Sequence, residues 1–183
     1  MLILILGVAL WWAAHLYKRV APGQRAAMGD KGRGLVTLAL VLSIILMVVG
    51  YGRAEGTFYW GPNPALIGIN NLLVLVAFYL FAASGMKTAV TARTRHPQLW
   101  GFSLWAIAHL LVNGDTASFV LFGGLLVWAF VEMAVINRAL PWVRPTGPFP
   151  ARKEAMAAVG ALIVMLVVGV IHGWIGPWPF GGA

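Results

Sequence analysis

GLVTLALVLSIILMVVGY, Gly34 to Tyr51, runs without a single Asp, Glu, Lys or Arg. An apolar run of that length reads as a membrane helix. Hydrocarbon offers backbone N–H and C=O groups no partner, and a helix of about 20 residues pairs them all internally. Working outward, five more stretches approach the same length: about Met1–Tyr17, Pro64–Gly85, Arg95–Asn113, Thr116–Asn137 and Ala155–Ile175. Six spans predict an all-α, polytopic transmembrane helical bundle, a single integral-membrane domain over residues 1–183 with no internal repeat.

Composition agrees. The chain is 61% apolar and 10% charged, whereas soluble domains carry about 25% charged residues. Disorder is excluded as well, since it needs low hydrophobicity and high charge. With no Cys, disulfides, iron–sulfur clusters, thiolate zinc sites and cysteine nucleophiles are all ruled out. A cofactor here is held by His, Asp, Glu, Met or shape. The net charge of +8 does not point to nucleic acid, because the cations sit in short loops between apolar runs and form no single face. The lipid bilayer is the expected partner.

Those loops also predict orientation. Lys18, Arg19, Arg25, Lys31 and Arg33 follow the first span, Lys87, Arg93 and Arg95 the third, and Arg138, Arg144, Arg152 and Lys153 the fifth; Arg53 stands alone on the other side. The positive-inside rule then places both termini away from the cytoplasm. The first stretch lacks a basic leader and a small-residue cleavage site, so it reads as an uncleaved anchor. Asn113-Gly114-Asp115 reads as a tight hairpin, with Asn or Gly suited to a left-handed cap and Asp115 to the next N-cap, making the fourth and fifth spans antiparallel neighbours. Trp60, Trp142, Trp174 and Trp178 near span ends suit interfacial belts. Pro141–Pro150, with four prolines, reads as a stiff connector.

Ionisable groups inside apolar spans are functional candidates. His109 lies well inside the fourth span with Trp105 one turn before and Asn113 one turn after, on one helix face. Its imidazole suits either an axial haem ligand or a hydrogen bond joining two helices. His15 suits a ligand or an interfacial residue pointing at headgroups. His96, before Pro97, suits capping or lipid-phosphate contact. His172 falls in a last helical turn, where solvent is expected, and Glu132, one and a half turns from Arg138, is near enough the interface to pair with it or to snorkel. His96 and His109 stand roughly 20 Å apart along one helix, so they cannot share a metal. Depth pairs His15 with His96, and His109 with His172. No nucleophile elbow, phosphate loop or HExxH pair is present.

The string RHPQLWGFSLWAIAHLLVNGD, Arg95 to Asp115, resembles the signature of the NnrU family, small polytopic bacterial membrane proteins associated with denitrification and nitric oxide metabolism. The likeness takes in His15, the Arg25 loop, Tyr51-Gly52-Arg53, Ser118, Leu121-Phe122-Gly123 and Trp128-Ala129. It covers about residues 1–137, with the connector and sixth span, 138–183, beyond it. The family is in turn similar to 15-cis-zeta-carotene isomerase, a membrane enzyme that uses haem b. That resemblance implies haem-iron ligation by His15 and His109, with His96 a further cofactor-site histidine. Where the isomerase has a cysteine one turn before its second histidine, this chain has Ala106. The resemblance implies a multi-pass protein of the cell inner membrane that supports nitric oxide metabolism through a histidine-ligated haem b. The alternatives are a haem-dependent isomerase of a polyene, and an accessory protein of a membrane oxidoreductase whose histidines join helices.

Overall fold

The computed structural model describes residues 1–181. In chain order it contains α1 (Leu2–Val20), α2 (Pro22–Ala27), α3 (Gly29–Gly52), β1 (Phe58–Trp60), α4 (Pro64–Met86), a 3₁₀ turn (Ala89–Ala92) and α5 (Pro97–Val112). The short strand β2 (Gly114–Asp115), which pairs with β1, then leads into α6 (Thr116–Ala139) and α7 (Ala151–Ile175). A π-helical turn, Phe119–Gly123, interrupts α6.

Five of these helices, α1, α3, α4, α6 and α7, are long and apolar enough to cross a membrane. Their exposed positions are large and apolar, among them Leu38, Val48, Ile163 and Val167. Apolar patches of that extent are not left facing water, so the exterior is a lipid face and the protein is a multi-pass membrane protein. The fourth of the six expected spans is shorter than a full crossing. α5 has 16 residues, about 24 Å at 1.5 Å per residue against a hydrocarbon core of about 30 Å. Pro97 fixes its first turn, and the chain leaves helical geometry at Asn113, φ −127° and ψ 87°.

The helices group into two compact units, Met1–Tyr59 with Gly114–Leu140, and Trp60–Asn113 with Pro141–Ala183. In the first, α1 lies directly on α3. A Cβ at Gly50 would strike the backbone of Leu4, and one at Gly7 would stand 2.8 Å from the Met47 nitrogen. Small residues let membrane helices approach this closely, so packing forces replace the hydrophobic effect that lipid removes. α6 joins α1 through the Trp12 indole, which donates to the Gly124 carbonyl at 3.1 Å.

The α6 N-terminus is fixed by a series of side-chain bonds. Asp115 accepts from the Ser118 amide at 2.9 Å and from the Ser118 hydroxyl at 2.8 Å. With that hydroxyl proton committed, the Tyr51 hydroxyl 2.8 Å away is the donor to Ser118 Oγ. Asp115 is thus the expected N-cap. Replacing Tyr51 by Phe removes one bond and leaves Ser118 satisfied by Asp115, so the expected loss is about 1 kcal/mol in SDS unfolding titrations. An unchanged midpoint would mean that the Tyr51 bond contributes nothing.

In the second unit, Asn63 caps α4 by accepting from the Leu66 amide at 3.0 Å, with Pro64 in the first turn. α4 packs against both α5 and α7. The α4–α5 approach is set by Gly101, where a Cβ would meet the Ala77 carbonyl oxygen at 2.8 Å. One expectation at Asn113–Asp115 needs correcting. Asn113 is not left-handed, because its backbone N–H and its side-chain amide both bond back to the His109 carbonyl at 2.9 Å. α5 groups with α4, while α6 belongs to the first unit.

Candidate functional site

His109 is held by its own helix. Its Nδ1 lies 2.8 Å from the Trp105 carbonyl oxygen, and the two rings sit 4.9 Å apart. A carbonyl only accepts, so the proton resides on Nδ1 and the neutral ring carries its lone pair on Nε2. This is the tautomer that a metal-ligating or hydrogen-bond-accepting imidazole adopts. Asn113 bonds the same turn through the His109 carbonyl. Trp105 and Asn113 thus both support His109, chiefly through backbone carbonyls.

The half-buried ring opens on a hollow of ≈ 100 Å³ inside the second unit. Asn70 and Asn71 line it from α4, Trp105 and His109 from α5, and His172 from α7. The buried Asn70 amide, oriented so that both its ends are satisfied, donates to the Ala108 carbonyl at 2.9 Å and ties α4 to α5. Depth in the sequence matches His109 with His172, and both line this one hollow. His172, expected to meet solvent, is half-exposed and lines the hollow as well. The chain after α7 folds back, and His172 Nδ1 donates to the Pro177 carbonyl at 2.7 Å. Phe180 covers Gly169 and Trp178 covers Gly173 so closely that neither glycine has room for a Cβ. Phe180 itself forms part of the wall.

Asn70 and Asn71 lie outside the expectation from sequence, which weighs only ionisable groups in the spans. Their signal is nonetheless there: two adjacent amides inside Pro64–Gly85, each costing several kcal/mol in hydrocarbon unless paired.

His15 belongs to the first unit. Its Nδ1 bonds to the Trp11 carbonyl at 3.0 Å, and its ring packs 4.2 Å from Trp11 and 4.6 Å from Trp128. It sits among indoles rather than pointing at headgroups. Glu132, expected to pair with Arg138, instead faces Arg19 at 3.6 Å. Glu132 is 6% exposed, and its second oxygen has no hydrogen-bond partner among the described residues. His96 occupies the α5 N-cap position, yet its side chain makes no capping bond. Asp115 is committed to capping α6. The named residues thus divide, with His109, Trp105, Asn113 and His96 in the second unit and His15 and Asp115 in the first.

Whether haem b fits is decided by donors and by space. The donors suit it: two imidazoles, each with Nδ1 committed to a carbonyl, line one apolar-walled hollow. The space does not. Cofactor clefts run from about 300 to 1,000 Å³, so with Phe180 in place neither a porphyrin nor a long polyene is accommodated. Among the described residues there is no group of three or more His, Asp or Glu arranged to hold a bare metal ion.

The sequence model of a family described as NnrU protein matches residues 3–179, which takes in the connector and α7 as well as the earlier helices. No curated protein and no solved structure matches the chain.

Proposed function

The chain belongs to the NnrU protein family, and on that premise we propose that it serves denitrification and nitric oxide metabolism from the bacterial inner membrane, with the His109 hollow as its working site. One observation carries this reading: two histidines and two asparagines converge on a single small hollow inside a unit otherwise walled by apolar side chains. Polar groups are costly in hydrocarbon and are kept there for a task. A hollow of ≈ 100 Å³ suits a small uncharged ligand arriving through the lipid, and nitric oxide is of that class. Such a ligand needs no aqueous channel. In this reading His109 presents its Nε2 lone pair, Asn70 holds α4 against α5, and Phe180 forms an apolar wall of the hollow. The cation distribution supports termini on the non-cytoplasmic side.

The test is a deletion strain of the native host grown anaerobically on nitrite. Loss of the chain should raise accumulated nitric oxide, read with an electrode, and the restored gene should reverse it; identical traces with and without the gene would remove the reading. Haem b belongs to the proposal only for a form in which Phe180 has left Gly169. His109 would then hold the iron, and the group would supply a redox-active centre that takes nitric oxide. A Soret band in Phe180→Ala, absent both from the unaltered protein and from Phe180→Ala/His109→Ala, is the expected spectrum. Absence of the band from all three samples would leave the histidines as helix-joining groups, the situation expected of an accessory protein to a membrane oxidoreductase.

A further inference from the structure

At the far end of α4 from Asn63, the second unit has a larger hollow of ≈ 500 Å³, lined by Met86 and Lys87 at the close of α4 and by Pro150, Arg152, Lys153 and Met156 at the start of α7. Three cations from two separate helices face this space, and no acidic residue lines it. The nearby carboxylate is engaged elsewhere: Glu154 accepts from the Tyr79 hydroxyl at 2.8 Å and from the Ala89 amide at 2.6 Å. Those bonds tie α7 to α4 and to the 3₁₀ turn, so the walls are fixed before any ligand arrives. Glu154 keeps its charge but does not line the hollow, so one carboxylate stands near three cations and a net positive charge remains there.

Two further features run against local preference. Lys87 is left-handed, φ 55° and ψ 56°, a conformation that a residue with a Cβ adopts at a cost of roughly 1–2 kcal/mol. Arg152 and Lys153 occupy the first turn of a 25-residue helix, where the macrodipole already favours negative charge and adjacent cations repel. Glu154 in the same turn offsets part of the electrostatic penalty, and an anion in the hollow relieves the rest. Its floor carries Met86 and the exposed Met156, and both helix ends lie where membrane spans meet the interface. The ligand is therefore an anion with an apolar body.

We propose that Lys87, Arg152 and Lys153 form a headgroup site for an anionic phospholipid, the cations meeting its phosphate and the two methionines its glycerol and upper acyl carbons. This site does not depend on the nitrogen-oxide reading.

The experiment uses the full-length protein in nanodiscs of phosphatidylcholine doped with phosphatidylglycerol, with retained lipid counted by native mass spectrometry. The triple variant Lys87→Gln/Arg152→Gln/Lys153→Gln is compared with Arg25→Gln/Lys31→Gln/Arg33→Gln, which removes the same charge from the first unit. With each surface cation contributing on the order of a factor of five, the first triple should weaken phosphatidylglycerol binding roughly a hundredfold, and the control by less than about threefold. Binding should weaken in high salt. An equal loss in both triples would show diffuse attraction to the membrane surface and overturn the site. Inorganic phosphate displacing the lipid at micromolar concentration would overturn the lipid as its ligand. Thermal melting of both triples checks that each variant is folded.

Discussion

Arg19→Leu is expected to destabilise the first unit by about 3–5 kcal/mol, because it leaves Glu132 buried without a counter-charge. Glu132 is nearly sealed from solvent, and Arg19 is the cation that faces it, at 3.6 Å. The pair is not thereby a net stabiliser. Two charges taken from water lose solvation that their attraction only partly returns, and one Glu132 oxygen has no hydrogen-bond partner among the described residues. The double variant Arg19→Leu/Glu132→Leu should therefore recover most of what the single variant loses. SDS titration followed by tryptophan fluorescence reads both, since Trp11 and Trp128 pack around His15 beside the pair. If the double variant is no more stable than the single, the lost stability lies in Arg19's own packing and not in a stranded carboxylate.

Gly50→Leu should be comparably disruptive. The position has no room even for a Cβ, since the Leu4 backbone occupies it. A leucine must push α1 off α3, and with α1 go the Trp12–Gly124 bond and the His15–Trp128 contact. Overpacking typically costs about 1–3 kcal/mol where side chains can give way; here backbone opposes backbone, so a loss of roughly 3 kcal/mol or more is expected. Gly52→Leu, two residues on in a place where a Cβ meets nothing within 4 Å, should be close to neutral. Comparable yields and melting temperatures for the two variants would mean that α1 and α3 are not held by close backbone contact.

Much of this architecture can be read from the residues. Apolar runs locate all five full-length helices to within about five residues, because lipid forbids any other backbone arrangement over that distance. Proline and asparagine mark both ends of α5, though not that these ends leave it short. Helix partnership is not legible. α3, α4 and α7 are apolar nearly all round, and a helix without a polar face gives no sign of which side meets a neighbour. The partners are recorded instead by glycines, at Gly7, Gly50 and Gly101, whose meaning depends on what lies opposite.

At the candidate site, His109, Trp105 and Asn113 are legible because a single helical turn relates them. Helical depth also brings His172 to His109. The other half is not accessible from the sequence. Asn70 and Asn71 carry no charge to draw notice. The carbonyl partner of His172 and the Phe180 wall depend on a Gly-Pro-rich segment folding back onto Gly173 and Gly169. Glu132 finds Arg19, on another helix, rather than its sequence neighbour Arg138, a choice made by packing of α6 on α1.

The most direct measurement is nitric oxide accumulation in the deletion strain carrying either His109→Ala or His96→Ala, each matched to wild type for protein in the membrane fraction. His109→Ala should accumulate nitric oxide as the empty vector does, while His96→Ala, whose imidazole does not line the hollow, should restore the wild-type trace. Full restoration by His109→Ala at equal membrane level would contradict the account, and the hollow beside that ring would then be structural.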